Sequence, residues 1–98
     1  MNQQSPTDMG TKVIWKFTIK ITDKQCVYMP IGSELISVQI QNRSLCLWAI
    51  VNPESPKERR EFEVVGTGIP FVDESRRYIS TVQIPEYGQV WHVFELLN

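Results

Sequence analysis

Strict alternation of apolar and polar side chains is the property that most limits how this chain folds. In VIWKFTIKI, residues 13–21, Trp15, Phe17, Ile19 and Ile21 fall on one face, and Lys16, Thr18 and Lys20 on the other. A period of two sets one face against a core and the other in water, the pattern of a half-buried strand. It returns in Leu35–Gln41, where Ile36, Val38 and Ile40 alternate with Ser37, Gln39 and Gln41. Arg77–Ile84 sets Tyr78, Ser80, Val82 and Ile84 opposite Ile79, Thr81 and Gln83, and VWHVFELL closes the chain. Between these lie the short run Gln25–Met29, stopped by Pro30, the segment Glu61–Val65, and Leu45–Val51. The last is apolar on both faces and predicts a central, covered strand. Seven strands, no helical periodicity and no internal repeat predict an all-β, single-domain antiparallel barrel or sandwich.

Turn residues punctuate this pattern. Thr22-Asp23-Lys24, PIGSE, Asn42-Arg43-Ser44 and PEYGQ read as connections, the third as a hairpin. NPESPKERRE, residues 52–61, is the most hydrophilic internal stretch, and its two prolines forbid a helix through its start, so a loop is expected there. Residues 71–77 read as a charged loop, and residues 1–10 as a loose arm before a β domain over 11–98.

Ninety-eight residues allow one core and no deep internal cleft, so a large ligand would sit on the surface or between subunits. The formal net charge of −1 gives no global attraction to DNA, RNA or a membrane surface. The polar start lacks a secretory pattern, and no apolar run approaches the ~20 residues of a membrane helix. A cytoplasmic location is expected. Cys26 and Cys46 lie in strand-like runs without a disulfide framework, and are expected to be buried, reduced thiols.

The stretch VVGTGIPF, residues 64–71, raises the question of a phosphate-cradling loop. It has neither the lysine of a Walker loop nor a following helix, since Pro70 intervenes. A glycine-permitted turn and an anion-accepting backbone nest remain, with Arg76 and Arg77 close enough in sequence to fold over it. His92 has no second metal-ligating residue at zinc spacing and no nucleophile motif, so it reads as a hydrogen-bonded strand histidine. Glu61 and Glu63 read as a solvated strand face balanced by Arg59 and Arg60. No cofactor, metal site or enzymatic activity is expected. Trp15, Trp48 and Trp91 are core candidates, although a small barrel holds few indoles and one is available for an interface or a base. Aromatic faces with loop arginines are the parts that nucleotide recognition requires.

In order, VIWKFTIKITDKQ, MPIGSELISVQIQ, LCLWAIV, VVGTGIP, YISTVQ and VWHVFEL resemble a family of small proteins of bacteriophages and some bacteria, across residues 12–96. That family typically opens on an IWK strand and closes on a WHVFE strand. It often carries histidine after the Gly-Thr-Gly turn, where this chain has Ile69, so no role carries over to that position. The group is similar to the viral nucleotide sponges, which hold cyclic dinucleotide signals away from CBASS immune effectors of the host. The resemblance implies a homo-oligomer that binds a cyclic dinucleotide without chemistry. The chemistry of the residues nominates Trp48, Gly66, Thr67, Gly68, Arg76 and Arg77 as contacts. The competing expectation is a small β-module that binds a host or phage protein, with no nucleotide ligand.

Overall fold

The computed structural model describes residues 10–97, so the arm expected over residues 1–10 lies almost wholly outside the described residues. Seven strands form: β1 Val13–Ile19, β2 Lys24–Pro30, β3 Glu34–Gln41, β4 Ser44–Val51, β5 Lys57–Gly66, β6 Arg76–Ile84 and β7 Gln89–Leu96. A 3-10 turn, Pro85–Tyr87, joins β6 to β7 and ends on Gly88 in the left-handed region. All ladders are antiparallel. They make two sheets, in the orders β1-β4-β3 and β2-β5-β7-β6. β3 lies beside β6 without a ladder between them, so the sheets stack as a sandwich and do not close into a barrel. No helix among the described residues is long and apolar enough to cross a membrane.

The period of two sets the core. Ile19, Val38, Leu45 and Leu47 from the first sheet meet Met29, Phe62, Val64, Val82 and Val93 from the second, all buried. Burying side chains of this size contributes roughly 1.5–3 kcal/mol each, the main driving force for stacking the sheets. β4 is central as expected, but only its inner face is sealed. On its outer face Cys46 is buried while Trp48 and Ile50 are half-open.

Four expectations need correction. In β3 a register shift between Leu35 and Ser37 takes Ile36 off the face of Val38 and Ile40 and leaves it exposed beside Trp48, while Leu35 packs on the core. β5 begins at Lys57, inside the stretch read as a loop, and pairs with β2 from Pro30↔Lys57 to Lys24↔Glu63. Its charges are tolerated because they alternate: Arg59 reaches Glu61 on the outer face, and Arg60 turns inward to Glu95. β6 begins at Arg76, so the charged loop ends at Ser75. A register shift between Tyr78 and Ser80 then moves Tyr78 to the same face as Thr81. Cys26 is exposed and Cys46 buried, so one expected buried thiol is at the surface.

Register places four connections at one end of the sandwich. These are residues 20–23 between β1 and β2, the Asn42–Arg43 hairpin turn, the start of the β5–β6 connection at Thr67, and the segment 85–88.

Candidate ligand groove and its surroundings

The Gly-Thr-Gly stretch is a turn. The Ile69 N–H donates to the Gly66 carbonyl at 3.1 Å, and Gly68 takes φ +84°, where an L side chain is strained. Thr67 N–H extends the sheet by donating to the Val90 carbonyl at 3.2 Å. Gly66 serves a different need. A Cβ there would lie 3.0 Å from Trp91 Cζ3 and 3.2 Å from Ile69 Cγ1, so its lack of a side chain makes room for the indole.

From this turn, residues 67–75 run along the outer face of the second sheet as a strap. Arg76 holds the strap down. Its guanidinium sits 4.7 Å from the Phe71 ring centre and 5.3 Å from that of Phe94. It also donates to the Glu63 carboxylate and to the Val72 carbonyl. Lys24 pairs with Glu74 of the strap at 2.7 Å. Hydrogen bonding to Glu74 raises the Lys24 pKa, and the same contact lowers that of Glu74. Under the strap Glu63 and Val65 are buried although they face outward. Glu63 is therefore a paired, covered carboxylate and not the solvated one expected.

Between the strap and the β1–β2 connection opens a groove of about 780 Å³. Ile21, Asp23, Gly66, Ile69, Phe71 and Trp91 are among its lining residues. Ile69, Phe71 and Val72 stay 58%, 49% and 66% exposed, too much apolar surface for a strap that served only as a cover.

Beside the groove, His92 is held at both ring nitrogens. Thr67 Oγ1 lies 2.8 Å from Nε2, Thr81 Oγ1 lies 3.0 Å from Nδ1, and Tyr78 Oη is 2.6 Å from Thr81 Oγ1. The strand-histidine reading holds, and the threonine hydroxyls that satisfy the ring tie the turn to β6 and β7.

The nominated residues do not meet within one chain. Gly66 lines the groove and Thr67 and Gly68 continue its turn. Trp48 stands on the outer face of the other sheet, beside Ile14, Ile36 and Gln39. Arg76 is committed to the strap. Arg77 lies on the inner side at the far end and donates to Glu95 at 2.6 Å. Glu95 also accepts two bonds from Arg60, at 2.7 and 3.0 Å, while Arg60 reaches the Ser33 carbonyl at 2.7 Å. Burial pushes the Glu95 carboxyl up, but the hydrogen bonds from Arg60 and Arg77 outweigh it and hold the group below its ordinary value. This Arg-Glu-Arg cluster, with Glu95 and Arg60 covered and Arg77 exposed at its rim, ties β5, β6 and β7 together at the end away from the groove. Sequence reading missed it because Glu95 lies in an apolar strand and its partners are 35 and 18 residues away.

Among the described residues no cluster of three metal-ligating side chains occurs. No curated protein and no solved structure matches the chain. Residues 10–98 match the family described as Domain of unknown function (DUF7352), and the chain belongs to that family.

Proposed function

We propose that the chain is a non-enzymatic binding protein that sequesters a cyclic dinucleotide at the end of the sandwich carrying the Gly66–Thr67–Gly68 turn. One observation carries this reading: the fold gathers four connections and the 780 Å³ groove at that single end. Loops presented on a rigid sheet frame are the usual place for recognition, and the groove falls within the ~300–1,000 Å³ of small-molecule sites. Phe71 and Trp91 offer apolar ring surface to a base, and Asp23 offers an acceptor for purine N–H groups. The resemblance to viral nucleotide sponges supports the ligand class, and homo-oligomerisation would enclose an open groove further.

The exposed Ile69, Phe71 and Val72 favour a second reading, in which strap and groove recognise a protein segment. A melting-temperature panel of cyclic dinucleotides and mononucleotides separates the two. One cyclic dinucleotide raising the midpoint supports sequestration. A flat panel with folded protein removes that reading and favours the protein partner.

A further inference from the structure

The arginines of this chain are almost all spent internally. Arg59 pairs with Glu61, Arg60 and Arg77 with Glu95, and Arg76 with Glu63. Among the described residues, Arg43 is the arginine that no carboxylate engages. It lines a cavity of about 330 Å³ with Ile40, Ile84, Glu86 and Tyr87, between the β3–β4 turn and the 3-10 turn. Tyr87 is 72% exposed, so its phenol is not part of the core.

The backbone adds a second, independent observation. Asn42 and Arg43 take φ +52° and +67° in a two-residue hairpin turn. Asparagine tolerates that region, but the second position of such a turn strongly favours glycine, and an arginine there is strained. The chain thus places the guanidinium that no described carboxylate engages at a position where the fold alone would favour glycine. Strain of this kind collects at ligand sites.

We infer that the Arg43–Tyr87 cavity is a nucleoside-phosphate site, separate from the groove. Arg43 meets a phosphate through its planar fork of N–H donors, Tyr87 gives the base a ring to stack on, and Glu86 accepts from base N–H groups. Its volume lies at the small end of the range for ligand sites, which suits one nucleotide and not a whole cyclic dinucleotide. The site stands whether the groove takes a nucleotide or a protein.

The experiment is an NMR titration of the folded protein with GMP, AMP and inorganic phosphate, on wild type and three variants. GMP or AMP should shift the resonances of Arg43 and Tyr87 at lower concentration than phosphate does. Arg43→Gly should weaken mononucleotide binding at least tenfold while its melting temperature is no lower than wild type. That opposition of sign is what a ligand-serving arginine in a glycine position predicts. Tyr87→Ala should weaken binding about fivefold or more, a loss within the range of one stacking contact, and the groove variant Ile69→Ser should leave it unchanged. No response to mononucleotide at millimolar concentration would overturn the inference. So would phosphate binding as tightly as GMP, unchanged binding in Arg43→Gly, or a lower melting temperature in that variant.

Discussion

Gly66 and Trp91 face each other across β5 and β7, and the indole occupies the space that any side chain on residue 66 would need. Two residues on, Gly68 has open space around its missing Cβ but a left-handed backbone. The glycines flanking Thr67 are thus required for different physical reasons. Gly66→Ala overpacks and should cost about 1–3 kcal/mol. Gly68→Ala strains the turn and should cost about 1 kcal/mol. In a Trp91→Leu background the first cost should shrink and the second persist, as a denaturation double-mutant cycle would read directly. Equal penalties in both backgrounds would contradict the packing role of Gly66.

Arg76→Ala should act on the fold before it acts on any ligand. It leaves the buried Glu63 carboxylate without its guanidinium, a loss of about 3 kcal/mol, and frees the strap from Phe71 and Phe94. Limited proteolysis should cut within residues 67–75 faster than in wild type. A stable variant with an uncut strap would show that the cluster does not hold it.

The Arg60–Glu95–Arg77 cluster gives stability an acid limit. The folded-state pKa of Glu95 is depressed, so its contribution is complete above the unfolded value of about 4.3 and is lost as pH falls through the folded one. Urea midpoints should fall steeply below about pH 4 in wild type. Glu95→Gln should lose about 3 kcal/mol at neutral pH, because Arg60 is then buried without a counter-charge, and its acid limb should be shallower. Parallel acid limbs would assign the acid sensitivity elsewhere.

Thiol labelling distinguishes the two cysteines. Cys26 on the outer face of β2 should react with a disulfide reagent in the native protein, and Cys46 only after unfolding. Two fast thiols would contradict the packing described for β4.

The strands were legible where the alternation was clean. Val13–Ile19 follows from the spacing of its apolar residues, and the hairpin at Asn42–Arg43 from its turn residues; Leu35–Gln41 was legible as a strand, but its bulge, which sends Ile36 outward, was not. KERRE was read as loop because charge usually marks solvent, yet here it alternates into ion pairs that only the neighbouring strands reveal. The candidate site was less legible. The turn at Gly66–Thr67–Gly68 was found, but the part of Arg76 depends on Phe71, Glu63 and Phe94, which tertiary structure alone brings around it. Trp48 carried a strand signal that does not say which face it takes. Arg43 was read as part of the Asn42-Arg43-Ser44 hairpin connection. What sets it apart is that the other arginines are paired, and pairing across strands cannot be read from sequence.

Sequestration without chemistry is the central claim, and retention of intact ligand tests it most directly. The folded protein would be mixed with the cyclic dinucleotide that most raises its melting temperature, passed through a desalting column, denatured, and the released ligand identified by mass. The account predicts that the dinucleotide travels with the protein and is recovered uncleaved. Ligand left behind on the column, or recovered as a linear or monomeric product, would contradict it.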